Sequence, residues 1–135
     1  MIEFNSTNDF DLSNPEEILQ WLTSVIEAEQ KQIGEINYIF CDDAYLHKLN
    51  VEYLNHDTLT DVISFDYTSG DVISGDVYIS VERVEDNAAD FKTSFKDELS
   101  RVMVHGVLHY CGYKDKSDDE AKEMRAKENL YLSVR

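Results

Sequence analysis

The run Val102-Met103-Val104-His105-Gly106-Val107-Leu108-His109-Tyr110-Cys111 is apolar on nearly every side of a helix, which no surface element tolerates. It belongs in an interior, with other elements wrapped around it. Ser94 offers an N-cap for a helix running from Phe95 to about Cys111, so the apolar run is the second half of one long element. The chain has 135 residues, 42% of them hydrophobic, enough to surround such a helix within one domain spanning residues 1–135.

The surroundings follow from periodicity. Ile2 to Asn5 reads as a short strand. Asn14-Pro15-Glu16-Glu17 supplies an N-cap, a proline at the first helical position and first-turn acids, and Ile18, Leu22, Val25 and Ile26 recur at helical spacing to about Lys31, with Gly34 as the stop. Glu35 to Cys41 alternates as a strand. Asp42 or Asp43 can cap the next helix, whose buried side carries Tyr45, Leu46, Leu49 and Tyr53. Two β-like runs, Thr60 to Tyr67 and Gly75 to Ser80, flank the turn-forming Thr68-Ser69-Gly70-Asp71, and Val81 to Phe91 reads as helix. Ser117 and Glu120 form a capping box opening a last helix toward Leu132. The expected class is α+β (mixed α/β): three or four strands packed against about five helices, with the apolar helix central.

Charge and cysteine content narrow the functions. With 28 acidic against 12 basic residues the formal charge is −16, which repels a phosphate backbone at long range. A nucleic-acid role therefore has to overcome its own electrostatics. Cys41 and Cys111 lie too far apart to form a disulfide framework or a cysteine-based zinc motif, and they read as reduced, buried thiols. No apolar run approaches a membrane span, and Met1 to Asn5 lacks the features of a signal peptide, so a cytoplasmic location is expected.

Chemistry concentrates on the apolar helix. His105 and His109 are four apart, roughly 40° around the axis, so both imidazoles project from one face. Gly112 permits a left-handed ending, and the returning chain carries Asp115 toward the pair. His105, His109 and Asp115 thus offer two nitrogens and a carboxylate to one divalent ion, zinc being the first choice, with room left for water. The spacing matches the metzincin zinc pattern at both histidines and the glycine. Gly106, however, stands where those peptidases keep a glutamate base, which counts against a metallopeptidase. Cys111 lies about 160° around the helix from His109 and is set aside as a ligand. His47 and His56 have no ligand-like neighbours in sequence and read as surface or packing residues.

These residues resemble a known family. His105-Gly106-Val107-Leu108-His109-Tyr110-Cys111-Gly112-Tyr113 is similar to the H-G-x-L-H-L-x-G-Y signature of the YbeY family, bacterial metal-dependent endoribonucleases of ribosomal RNA maturation. Thr60-Asp61-Val62-Ile63-Ser64-Phe65 and Gly75-Asp76-Val77-Tyr78-Ile79-Ser80 resemble its T-D-V-L-S-F and G-D-I-x-I-S segments, and Glu120, Ala121, Met124 and Glu128 follow its tail. The likeness covers about residues 35 to 130. It implies a single-strand-specific endoribonuclease acting in ribosome biogenesis, with ribosomal RNA or its precursor, the small ribosomal subunit or assembly proteins as partners, and no nucleotide cofactor. A non-catalytic, metal-containing assembly factor is the alternative.

Two positions depart from the family. Its third ligand is a histidine where this chain has Asp115, which lowers the formal charge of a loaded site from +2 to +1. Its arginine before the T-D-V-L-S-F segment is Leu54 here, and Lys48, Lys114 or Arg101 are the candidates to replace that charge. No catalytic residue outside the metal group is assigned from the sequence. Glu98 shares the face of His105 but lies about 10 Å away along the axis, far for proton transfer, and reads as a first-turn acid. Asp61 and Asp76 are candidates to orient the ligands or to cap strand ends.

Overall fold

The computed structural model describes residues 1–55 and 60–135. In chain order the elements are β1 (Ile2–Ser6), α1 (Pro15–Ala28), β2 (Gln32–Cys41), α2 (Asp43–Leu54), β3 (Val62–Asp66), β4 (Val72–Ser80), α3 (Val81–Asp90), α4 (Phe95–Tyr110) and α5 (Asp118–Ser133). The strands form one sheet in the order β1-β2-β4-β3, parallel except for the antiparallel β3–β4 pair at one edge. The expected mixed architecture, with four strands and five helices among the described residues, is what the chain adopts.

Strand alternation divides the apolar residues between two cores. Tyr38 and Phe40 of β2 and Ile73, Val77 and Ile79 of β4 meet α1, α3, α4 and α5 in the main core. The opposite face sends Cys41, Ile63, Phe65 and Tyr78 toward Leu46 and Leu49 of α2. Helix α4 is the centre of the main core, with Met103, Val104, Val107 and Leu108 fully buried. It is also fastened to the sheet by polar bonds. The Tyr38 hydroxyl donates to the Met103 carbonyl at 2.7 Å, and the Tyr110 hydroxyl lies 3.2 Å and 3.1 Å from the carbonyls of Phe65 and Asp76.

Glycines set the closeness of that contact. A Cβ on Gly106 would stand 3.3 Å from a methyl of Val77, and one on Gly75 would stand 2.4 Å from the ring of Tyr110 and 2.5 Å from the Phe65 carbonyl oxygen. The helix therefore rests on β4 through two positions without side chains.

Three local readings are corrected. Helix α1 ends at Ala28 rather than about Lys31, because Gln30 takes a left-handed conformation (φ 60°) and turns the chain into β2 at Gln32, ahead of the Glu35 start that the sequence implies. Gly34 is then a strand residue, packed where its Cβ would fall 2.1 Å from the Ser74 hydroxyl. Asn14 is itself left-handed (φ 54°) and makes no side-chain cap, so Pro15 and the first-turn acids open the helix without it. In α2 only Leu46 of the expected stripe is fully buried, while Tyr45 and Tyr53 are exposed. Asp42, Ser94 and the Ser117–Glu120 capping box act as their sequence patterns indicate.

Because the added methyl at position 75 meets a backbone carbonyl as well as a ring, Gly75→Ala should destabilise the protein by about 1–3 kcal/mol. Urea unfolding measures this. A midpoint equal to that of the native chain would mean that α4 does not rest on β4 as described.

Candidate metal centre

Helix α4 ends in a Schellman turn. The Tyr113 amide donates to the Leu108 carbonyl and the Gly112 amide to the His109 carbonyl, both at 3.0 Å, and Gly112 takes the positive φ (109°) this turn requires. The reversal brings Asp115 back over the helix face that carries the imidazoles. One carboxylate oxygen of Asp115 lies 3.3 Å from His105 Nε2 and 3.4 Å from His109 Nε2. One donor atom from each of the three residues lies within 4.8 Å of the others, and the two rings stand nearly perpendicular, 4.5 Å between centroids.

The far side of each ring is already engaged. His105 Nδ1 is 2.6 Å from a carboxylate oxygen of Glu128 on α5, and His109 Nδ1 is 3.0 Å from the Tyr113 carbonyl oxygen. A proton on each Nδ1 satisfies both acceptors and leaves both Nε2 lone pairs aimed at the Asp115 oxygen. Three electron-rich atoms then face one another with no proton between them, an arrangement that a cation relieves. Donor atoms about 2.0–2.2 Å from a tetrahedral zinc ion are separated by about 3.3–3.6 Å, and the 3.3 Å and 3.4 Å separations to Asp115 match that edge. The donor set and its spacing fit a divalent ion.

Glu128 is only 4% exposed and gathers several cations. Arg101 Nη1 is 2.9 Å from its second oxygen and Arg125 Nη1 is 3.7 Å away. Burial opposes ionisation of Glu128, but the hydrogen bonds from His105 and Arg101 outweigh it and hold its pKa below the usual value. For His105, burial opposes the charged ring, while Glu128, Asp115 and Asp61 more than offset it and raise the pKa. On the other flank, the Tyr113 hydroxyl donates to Glu29 at 2.7 Å, and Lys127 and the Tyr131 hydroxyl reach the same carboxylate. This clamp anchors the turn whose carbonyl orients His109. Desolvation raises the pKa of Glu29, and these partners bring it down to a net value below normal.

The remaining sequence candidates are distributed unevenly. Arg101 lies one turn before His105 and lines the same cleft, with Nη2 bonded to Asn129 at 2.9 Å. Lys114 lines the groove on the other side, beside His109 and Asp115. Lys48 is on α2 with Glu52, 4.0 Å away. Leu54 is the exposed last residue of α2. Asp76 does not orient the ligands. It accepts from Asn37 at 3.1 Å and lines a groove with Tyr53 and Tyr67. Asp61 lines the cleft beside His105 without a bond to either ring. Glu98 is buried rather than a solvated first-turn acid, and that burial raises its pKa. Neither thiol joins the three residues. Cys41 is buried and Cys111 half-buried, and desolvation pushes them up to about 12 and about 11. His56 lies outside the described residues. Glu128, which the sequence shows only as part of a tail pattern, is the ring-orienting partner that spacing could not reveal.

A sequence profile described as Endoribonuclease YbeY matches residues 2–134. This chain belongs to that family. A Flavobacterium johnsoniae relative carrying that name is 66% identical over 99% of this chain and 96% of its own length, and a Cytophaga hutchinsonii relative of the same name is 45% identical over 98% and 93%. Among solved structures, the solution structure of a Thermotoga maritima protein superposes with a TM-score of 0.73 at 28% identity, covering 98% of this chain and 87% of that one. The family likeness thus extends over the whole chain, including β1 and α1, which carry none of the motif residues.

Removing the carboxylate behind His105 should loosen the site without unfolding it. Glu128→Gln is expected to weaken zinc binding by about 10–100-fold in calorimetric titration, and unchanged affinity would mean that Glu128 does not orient the ring. Glu29 and Glu128, with pKa values below the usual 4.5, stabilise the fold above that pH and lose this contribution as the pH falls through their lowered values. Thermal melts from pH 6 to about pH 3 should therefore fall more steeply for the native chain than for Glu29→Gln.

Proposed function

We propose that this chain is a metal-dependent endoribonuclease that cuts single-stranded RNA in ribosomal RNA maturation, using one ion held by His105, His109 and Asp115. The observation that carries the reading is the convergence of two oriented Nε2 atoms on one Asp115 oxygen at tetrahedral spacing. The Endoribonuclease YbeY name of the relatives supports RNA as the substrate. Zinc is the proposed metal, from the nitrogen-rich donor set.

When bound, a divalent ion supplies a Lewis acid that polarises a phosphoryl oxygen and acidifies a coordinated water molecule. The protein's own part is positional and electrostatic. Glu128 and the Tyr113 carbonyl fix both rings in one tautomer. Arg101, held by Glu128 and Asn129, presents a fixed positive group one helical turn from His105 and supplies the charge that Leu54 cannot. Asp115 tempers the charge of the site. The contact of Gly106 with Val77 argues against a peptidase, because a glutamate there would have to enter the packed face between α4 and β4.

We further propose that the chain acts as a single catalytic domain in the cytoplasm, on ribosomal RNA precursor associated with the small subunit or its assembly proteins. Among the described residues no helix is long and apolar enough to cross a membrane. A charge of −16 disfavours long-range capture of RNA, so binding should depend on the ion, the two arginines and short-range contacts.

Cleavage of a single-stranded ribosomal RNA precursor, with and without chelator, tests the reading beside Asp115→Ala. Both losses should lower the rate roughly a hundredfold or more, with zinc restoring the native chain alone. Undiminished cleavage under chelation would contradict the mechanism. Stoichiometric metal without any cleavage would favour the assembly-factor reading.

A further inference from the structure

The cleft beside His105 extends well past the metal ligands. It follows the face of α4 that carries Glu98, Arg101, Val102 and His105, and is closed by the end of α3, the start of β3 and α5, with a volume of about 300 Å³. From His105 to Glu98 is two helical turns, about 10 Å. Its two ends differ in chemistry. Near His105 stand Arg101 and Arg125, and at the far end stand Phe91 and Glu98, over walls formed by Val62 and Val102.

Two side chains at that far end face the cleft without a partner that fixes them. Phe91, the residue that ends α3, leaves its aromatic side chain on the rim of the cleft, 65% exposed. Glu98 is only 6% exposed, yet among the described residues no hydrogen bond reaches its carboxylate. A carboxylate that is nearly buried, lines a cleft and meets no internal donor is positioned for a donor arriving from outside. A second metal ion is not the natural occupant: Asp61, Glu98 and Glu128 line the cleft together with Arg101 and Arg125, but among the described residues the only convergent donor group is His105, His109 and Asp115 at the other end.

We propose that this cleft is a nucleobase subsite, in which Phe91 stacks on one base of the RNA and Glu98 accepts hydrogen bonds from the Watson–Crick edge of a guanine. The assignment rests on the endoribonuclease reading for the phosphate that joins this base to the metal site, with Arg101 and Arg125 along its path. Single-stranded RNA is recognised through stacking on aromatic rings and bonding to unpaired base edges. A carboxylate only accepts, so it selects by donors. Guanine offers two adjacent N–H groups. Adenine and cytosine offer one amino group next to an acceptor. Uracil places its single N–H between two carbonyls that repel the carboxylate. A site whose buried acceptor goes unpaired rejects the wrong base more strongly than an apolar pocket would. Recognition of this kind acts at short range, which suits a chain whose overall charge does not attract RNA.

Calorimetric titration of the zinc-loaded full chain with GMP, AMP, CMP and UMP tests the proposal, beside Phe91→Ala and Glu98→Gln. The native chain should bind GMP at least about tenfold more tightly than UMP. Phe91→Ala, at an exposed position, should weaken all four ligands by roughly tenfold. Glu98→Gln, nearly isosteric, should weaken GMP selectively and bring the four within about threefold. Equal affinities for all four in the native chain, or no change in Phe91→Ala, would overturn the subsite. Mapping the cuts in single-stranded RNA separates the two readings. GMP binding of the stated pattern without RNA cleavage contradicts the endoribonuclease and leaves the subsite standing. Cleavage with no base preference beside the cut, unaffected by Phe91→Ala, overturns the subsite alone.

Discussion

The burial of α4 against β4 is the contact on which the rest of the molecule depends. Two glycines, Gly75 on the sheet and Gly106 on the helix, let the two elements approach until Tyr110 lies against the first and Val77 against the second. Tyr38 and Tyr110 then tie helix to strand through carbonyl oxygens. A helix held this firmly at its buried face offers a stable exposed edge, and His105 and His109 occupy that edge. A pair of ligands four residues apart is only as well placed as the helix that carries it. Here the helix is fixed by the main core rather than by the site.

Outward from that helix, each residue of the proposed donor set has its own support. His105 is backed by Glu128 from α5, which Arg101 holds in turn. His109 is backed by a backbone carbonyl in the Gly112 turn, and that turn is pinned to α1 and α5 by the Glu29 cluster. Asp115 arrives on the same turn, so the two sides of the donor set are linked through a few residues of chain. The most deeply buried ionised group beside the site, Glu128, is thus held by His105 on one oxygen and Arg101 on the other. The long cleft continues from there, with polar residues meeting solvent on one side and apolar residues of α4 on the other.

Much of this was legible in the sequence because it is local. The apolar run around His105, the spacing to His109 and the glycine before Asp115 are all set within a dozen residues, and helix geometry turns that spacing into a shared face. Capping by Asp42, Ser94 and Ser117 is local as well. What escaped was non-local or depended on packing. Glu128 meets His105 across 23 residues of chain, and nothing in its own neighbourhood marks it as a ring partner. Glu98 fills a first-turn position that ordinarily faces water, and only the packing of α4 buries it. The end of α1 was misplaced because Gln30 adopts the left-handed turn that glycine usually provides, which left Gly34 free to serve close strand packing against Ser74. Tyr45 and Tyr53 carry the signature of a buried stripe, yet α2 covers only a small second core, and their rings remain at its margin.

The central claim is that two imidazoles and one carboxylate take hold of a single ion. X-ray absorption at the zinc edge, on protein loaded with one equivalent of zinc, addresses it most directly. The account predicts two imidazole nitrogens at about 2.0–2.1 Å, oxygen in the remaining positions, and no sulfur near 2.3 Å. A sulfur shell, or failure to retain one ion per chain, would contradict it.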